Sequence, residues 1–216
     1  APHFTGESDV EVIIAPNAGA CFGVVRAIKL GQQAAKKGEK NKAPVFALGA
    51  LVHNPQTLEA LKASGVKTVE NEADIKEGTA ILRSHGVKQE IEKDLRDRGI
   101  QIVDATCPLV KKPQRIAQGL SEKGYYLVLV GDAKHPEVKG VVSYFGRPDY
   151  IVTYNPEDIA KIPDNVEKVG IIAQTTIEVG ILNKVVDACR ARFADVSVNN
   201  TICDATSIRQ GEVEVL

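Results

Sequence analysis

The chain has 216 residues, 44% of them hydrophobic, and a formal net charge of -1. This length is enough for two domains of ordinary size, each with its own core. The near-neutral charge gives no indication of nucleic-acid or membrane-surface binding, and no apolar run approaches the length of a membrane span. Four scattered cysteines do not make a secreted disulfide framework, so the composition predicts a soluble protein of a reducing compartment.

Apolar, β-branched runs alternate with helical periodicities along the whole chain. The predicted strands are 12–15, 45–49, 80–84, 100–105, 126–130, 150–154, 169–173 and 196–198. Helical spacing of apolar residues occurs at 24–35, 57–63, 87–95, 109–120 and 182–193, and a short capped helix is predicted at Pro156. This alternation predicts an α/β fold with parallel sheets.

Three of the four cysteines, Cys21, Cys107 and Cys203, each follow a predicted strand and precede helical sequence. Open α/β sheets bind ligands at this edge, so the three thiols could converge on an iron–sulfur cluster and leave one iron open to substrate. The alternative is that each is a small buried hydrophobe, since no Cys-x-x-Cys pair is present. For Cys189, on the apolar face of its helix, we expect simple burial.

The repeated pattern predicts tandem α/β modules. The first module is expected at 10–106 and the second at 107–200, whereas 201–216 would be the start of a third. Only a short stretch follows Cys203, so we expect the third module to be largely absent from this chain.

Three histidines, His53, His85 and His135, lie after predicted strands beside Gly or Pro, at the same edge as the cysteines. Imidazolium groups and helix N-termini favour a multiply charged anion such as diphosphate. Neither a P-loop nor a strand-borne dinucleotide motif occurs in the sequence, which argues against a nucleotide.

Two further residues at this edge have a structural and a chemical interpretation. Glu137 follows Pro136, so it either complements a helix dipole or delivers a proton. Thr175 ends a predicted strand, where it either donates to a ligand or, like Thr176, caps the next helix.

Seven motifs together resemble the 4-hydroxy-3-methylbut-2-enyl diphosphate reductase family, in the family's order and from Val10 onward. They are Ala20-Cys21-Phe22-Gly23-Val24 with Arg26, His53-Asn54-Pro55, Ser84-His85-Gly86-Val87, Asp104-Ala105-Thr106-Cys107-Pro108, His135-Pro136-Glu137-Val138, Gln174-Thr175, and Asn200-Thr201-Ile202-Cys203-Asp204-Ala205-Thr206 with Arg209-Gln210.

The resemblance implies a trefoil of α/β modules around a central [4Fe-4S] cluster held by Cys21, Cys107 and Cys203. Oxidation would convert the cluster to a [3Fe-4S] form or remove it. The implied reaction is a two-electron reductive loss of the substrate hydroxyl as water, in the methylerythritol phosphate route to isopentenyl and dimethylallyl diphosphate.

The same resemblance implies roles for six further side chains. Those matching substrate-binding residues are His53, His85, His135, Thr175 and Thr206. Glu137, as proton source, and Thr175 match the catalytic residues. Flavodoxin or ferredoxin would donate the electrons, and the protein would be a monomer in a bacterial cytoplasm or a plastid. The alternative, suggested by the short stretch after Cys203, is a non-catalytic fragment that binds diphosphate or a cluster.

Overall fold

A computed structural model describes residues 3–5 and 11–213 of the chain. Most of the described strands belong to two four-stranded parallel sheets, one after the other in sequence. The prediction of an α/β fold with parallel sheets is therefore confirmed. Within these two ranges, none of the helices combines the length and hydrophobicity that a membrane crossing requires.

A two-stranded antiparallel ribbon precedes the sheets, formed by β1 (His3–Thr5) and β2 (Glu11–Ile13). The sequence correctly predicts a strand here. Its predicted place in a parallel sheet is wrong, because among the described residues the strand pairs antiparallel with β1 alone. Val12 and Ile13 have relative exposures of 48% and 49%, so this ribbon is not a core strand. A short β-branched run fits any pleated surface, and its composition does not determine which sheet it joins.

The elements of the first parallel sheet mostly alternate between helix and strand, except that a 3-10 helix, Glu72–Asp74, separates two of its strands. They are α1 (Phe22–Asn41), β3 (Val45–Leu48), α2 (Pro55–Ala63), β4 (Val66–Val69), β5 (Thr79–Leu82), α3 (Gln89–Asp97) and β6 (Gln101–Asp104). The strand order is β4-β3-β5-β6, with all pairs parallel. Small residues allow α1 to pack closely on this layer: a Cβ at Gly31 would lie 2.9 Å from Leu51.

The second parallel sheet follows the same plan. Its elements are α4 (Pro108–Glu122), β7 (Tyr126–Val130), α5 (Pro136–Phe145), β8 (Tyr150–Thr153), β9 (Lys168–Ala173), α6 (Val179–Arg192) and β10 (Asp195–Asn199), followed by α7 (Asp204–Val213). The strand order is β10-β9-β7-β8. The helix predicted at Pro156 is instead a 3-10 helix, Pro156–Lys161.

Helices α3 and α5 connect the two sheets. The backbone N–H of Gln89 donates to Ser143 Oγ at 3.0 Å, and the Tyr144 hydroxyl donates to Glu92 at 3.1 Å. These contacts join the helix that follows β5 to the helix that follows β7. The strand ends of the two sheets are thereby fixed next to each other.

Burial in the second sheet agrees with the sequence. Leu127, Val128, Leu129 and Val130 are inaccessible to solvent, as expected for a strand covered on both faces. Cys189 is also fully buried, within the cluster that includes Leu182, Val186 and Phe193, which confirms its predicted structural role. Burial raises the pKa of its thiol to about 11.

Candidate functional site

The carboxyl ends of both parallel sheets border one cavity of about 360 Å³. Its walls come from the segments after β5, β6, β7, β9 and β10 and from the first turn of α1. The predicted site residues in the lining are Cys21, His85, Cys107, His135, Glu137, Thr175, Cys203 and Thr206. A larger groove of about 1000 Å³, beside the C-terminal end of α1, contains none of the predicted site residues.

Each of the three cysteines lies at the start of a helix. Cys21 is the N-cap of α1, Cys107 is the N-cap of α4, and Cys203 immediately precedes α7. All three are free, partly exposed thiols. The thiolate is the form of cysteine that binds metal.

Gly23 shows how close two of these sulfurs are. A Cβ built on Gly23 would lie 2.5 Å from Cys107 Sγ and 4.0 Å from Cys21 Sγ. Both sulfur atoms therefore lie close to Gly23, and the distance between them cannot exceed the sum of these two distances. Any side chain at Gly23 would clash with the Cys107 sulfur and come close to that of Cys21.

Backbone hydrogen bonds tie two cysteines to neighbouring strand ends. Cys107 N donates to the Ser84 carbonyl at 2.9 Å, and Cys203 N donates to the Thr175 carbonyl at 2.8 Å. Burial raises the pKa of the Cys107 thiol, and negative charge on Cys21 and Cys203 raises it further, against the effect of nearby backbone N–H groups. This mutual influence is consistent with three thiols on one cavity.

The three histidines form a row along the cavity edge. The ring centroids of His53 and His85 are 4.8 Å apart, and those of His85 and His135 are 5.9 Å apart. His53 is exposed and does not line the cavity, so it is the outer end of the row.

The central and inner histidines, His85 and His135, differ in what surrounds their rings. Burial, followed by the charges of His53, His135 and Arg83, lowers the pKa of His85 to about 4. His85 is therefore neutral without a ligand, which differs from the imidazolium expected from the sequence. His135 Nδ1 accepts from the backbone N–H of Glu137 at 3.2 Å, so its hydrogen is on Nε2.

Glu137 is the most enclosed charged residue of the cavity wall, with 1% of its surface exposed. Its two carboxylate oxygens accept from the backbone N–H and the hydroxyl of Thr175, both at 2.7 Å. Of the two interpretations of Thr175, helix capping is wrong, because α6 begins at Val179 with Glu178 as its N-cap. Thr175 instead orients a buried carboxyl group toward the cavity.

Residues 12–216 match the model of the family described as LytB protein. This chain belongs to the LytB family.

Relatives in this family have closely similar sequences. Proteins of Geotalea daltonii and Geobacter sulfurreducens, both called 4-hydroxy-3-methylbut-2-enyl diphosphate reductase, are 45% and 44% identical to this chain. In each case the match covers 96% of this chain and 71% of the relative.

Two solved structures have the same fold. The structure of (E)-4-hydroxy-3-methyl-but-2-enyl diphosphate reductase, the terminal enzyme of the non-mevalonate pathway, has a TM-score of 0.82 at 42% identity, over 95% of this chain and 72% of that one. The E-1-hydroxy-2-methyl-but-2-enyl-4-diphosphate reductase of Plasmodium falciparum has a TM-score of 0.80 at 27% identity, over 89% and 61%.

The donor set of the cavity fits an iron–sulfur cluster better than a single ion. In the ranges that the structure describes, no three His, Cys, Asp or Glu side chains converge closely enough to bind one metal ion. Cluster ligands each bind a different iron and so stand farther apart, and all are thiolates. Three thiols on one cavity, two of them close to a glycine that leaves room beside the sulfurs, match that requirement.

Sequence reasoning missed two contributors to this site. Gly23 was noted only as part of a motif, although a glycine two residues after a candidate ligand is a signal of close approach. Leu109 was assigned to the packed face of its helix, yet it is 40% exposed and lines the cavity. Apolar periodicity does not distinguish a core face from an apolar cavity wall.

Proposed function

We propose that this chain carries out the two-electron reductive dehydroxylation of 4-hydroxy-3-methylbut-2-enyl diphosphate, giving isopentenyl and dimethylallyl diphosphate. The observation that carries the proposal is the convergence of three thiols, two histidines and a buried carboxyl group on one cavity. The reaction needs these three kinds of group: ligands for a redox cofactor, donors for a diphosphate, and a proton source. Overall, two electrons and two protons convert the C–OH group to C–H and water.

In this proposal Cys21, Cys107 and Cys203 hold a [4Fe-4S] cluster, in agreement with their helix-terminal positions on the cavity. When bound, the cluster would supply the electrons and act as a Lewis acid on the substrate hydroxyl.

The histidine row would bind the diphosphate. His135 presents its Nε2–H as a donor because Nδ1 already accepts from the backbone. His85 is neutral without ligand, and the negative charge of a diphosphate would raise its pKa and favour a charged hydrogen bond. His53 at the outer end would contact the same group, and Thr206 would line the pocket beside the substrate.

Glu137 would deliver the proton that leaves with the hydroxyl group as water. Its carboxyl group borders the cavity and is shielded from bulk water. Thr175 donates to both carboxylate oxygens, which fixes their direction. The same hydroxyl can accept from the protonated form, so the pair is suited to holding and passing on one proton.

The remaining assignments extend the same proposal. We propose module boundaries at 107 and 201, which agree with the separation of the two sheets in sequence. We also propose flavodoxin or ferredoxin as the electron donor to a monomeric protein in a bacterial cytoplasm or a plastid.

An anaerobic turnover assay with a reduced chemical mediator tests the proposal. The wild-type chain should convert the allylic diphosphate to the two products, which chromatography separates. Glu137→Gln should keep its cluster and its substrate affinity, while turnover falls by roughly 10²–10⁴-fold. Glu59→Gln, at an exposed helical position, is the matched control and should be unchanged.

Two results would count against the proposal. A wild-type chain that carries a cluster and binds the diphosphate without turning it over would support the non-catalytic binding alternative. Undiminished turnover in Glu137→Gln would remove this carboxyl group from the mechanism.

A further inference from the structure

Arg26 joins the segments that carry Cys21 and Cys107. It lies one turn after Gly23 on α1 and donates from Nη1 to the Thr106 carbonyl at 3.1 Å. Its Nη2 donates to the Asp104 carbonyl at 3.4 Å. Because Thr106 directly precedes Cys107, this arginine fixes the Cys107 loop against the helix that begins after Cys21.

Arg209 makes the corresponding connection between Cys203 and Cys21. It lies on α7, the helix that begins directly after Cys203. Its Nη2 donates to the Gly19 carbonyl at 2.7 Å, and its Nε donates to the Asn17 carbonyl at 3.3 Å. Glu212, about one turn later, accepts from the backbone N–H of Asn17 at 3.2 Å and from its side-chain amide at 2.5 Å.

The loop before Cys21 has few other attachments. Residues 16–20 are exposed. Within 11–213, the hydrogen bonds of this loop go to Arg209, to Glu212 and, locally, from Ala18 N to the Ala15 carbonyl. Helix α7 therefore supplies the contacts that hold the loop to the rest of the protein.

Both arginines use their donors on backbone carbonyls of ligand-bearing segments. A guanidinium group reaches two carbonyls at once and keeps its charge at any accessible pH. Each therefore fixes a distance between two segments far apart in sequence, and each places a positive charge on a segment next to a thiol. Such supporting contacts typically determine metal affinity by orienting the ligands.

We propose that Arg26 and Arg209 are positioning residues that assemble the three-thiol ligand set before iron binds. Arg26 sets Cys21 against Cys107, and Arg209 sets Cys21 against Cys203. In this proposal neither arginine contacts the substrate. The inference rests on the proposed function in one respect, that the three thiols are the ligands of one cluster.

The first test uses the reduced, metal-free protein and a mild oxidant in the presence of glutathione. Each cysteine can form a disulfide either with another cysteine of the chain or with glutathione, so the yield of an internal pair reports how close its two thiols lie. Peptide mass spectrometry identifies each pair. Arg26→Gln should lower the Cys21–Cys107 yield relative to Cys21–Cys203, and Arg209→Gln should do the reverse. Arg190→Gln, an exposed arginine in the last turn of α6, should match wild type.

The second test measures anaerobic cluster assembly at limiting iron and sulfide. Each glutamine variant should need about 10- to 100-fold more iron for half-loading. Arg26→Lys and Arg209→Lys should recover part of this loss, since lysine retains the charge and can donate hydrogen bonds but lacks the planar fork that reaches two carbonyls in a fixed geometry. Thermal unfolding of the metal-free variants confirms that the comparison is made on folded protein.

The outcomes separate this inference from the proposed function. A wild-type protein that assembles no cluster would refute the function, while the disulfide pattern would still decide whether the arginines position the thiols. Glutamine variants with wild-type pairing and wild-type loading would overturn the inference, even in an active enzyme.

Discussion

Replacing Gly23 by alanine inserts a methyl group against one proposed cluster ligand, Cys107, and close to a second, Cys21. The new carbon would lie 2.5 Å from Cys107 Sγ, whereas non-bonded heavy atoms are comfortable at about 3.5–4.0 Å. The sulfur must therefore move by about 1 Å, which is twice the tolerance of roughly 0.5 Å for a working ligand constellation. We expect Gly23→Ala to weaken cluster loading by about 10- to 100-fold.

The same substitution should affect folding much less. Overpacking costs about 1–3 kcal/mol, but alanine stabilises a helix by about 1 kcal/mol relative to glycine. Rotation about one side-chain bond can also move the Cys107 sulfur away from the methyl group. We expect the metal-free variant to lose at most about 2 kcal/mol of unfolding free energy, as measured by denaturant titration.

Gly180→Ala is the matched control. Gly180 is the second residue of α6, as Gly23 is of α1, and a Cβ there meets no atom within 4 Å. Its unfolding free energy should rise by up to about 1 kcal/mol, with cluster loading unchanged. Wild-type iron loading in Gly23→Ala would refute the reasoning, because it would show that the space beside Gly23 is not part of the ligand geometry.

Three further predictions concern the metal-free protein. Thr175→Val removes the hydroxyl group that donates to the buried Glu137, so denaturant titration should show a loss of about 1–3 kcal/mol; an unchanged midpoint would make that hydrogen bond dispensable. His85 has a folded pKa of about 4, below its usual 6.5, so stability should be complete above pH 6.5 and fall as the pH drops toward 4. His85→Asn should flatten this dependence, and an equal slope in the variant would contradict the assignment. Cys189→Ala should lower stability by about 1 kcal/mol without changing cluster loading, whereas loss of iron would give this buried thiol an unexpected role.

The sequence predicted the central strands well because both of their faces are buried. The runs 126–130 and 169–173 are continuous and apolar, and they form β7 and β9 in the middle of the second sheet. The edge strand β4 was missed, since its four residues include the exposed Lys67 and Thr68. The run 12–15 has a similar composition to a core strand but forms an exposed ribbon.

The membership of the candidate site follows from one rule, that parallel strands place their following loops at the same edge. This rule correctly gathers Cys107, His135 and Thr175 on one cavity. It does not give the distances between them, which depend on how helices from different sheets cross. The approach of Gly23 to Cys107 and the reach of Arg209 to Gly19 are of this kind. A glycine beside a candidate ligand signals a close approach, but no local sequence pattern gives the partner or the distance.

Anaerobic iron and labile-sulfide analysis, with an absorption spectrum of the same sample, tests the central claim most directly. We expect about four irons and four sulfides per chain in wild type and in Cys189→Ala. Replacing Cys21, Cys107 or Cys203 by serine should lower the iron content and the sulfide content together. Two results would contradict this claim. One is a wild-type chain that holds no iron and no sulfide after reconstitution. The other is a variant that lacks one of these three thiols and keeps its full iron and sulfide content.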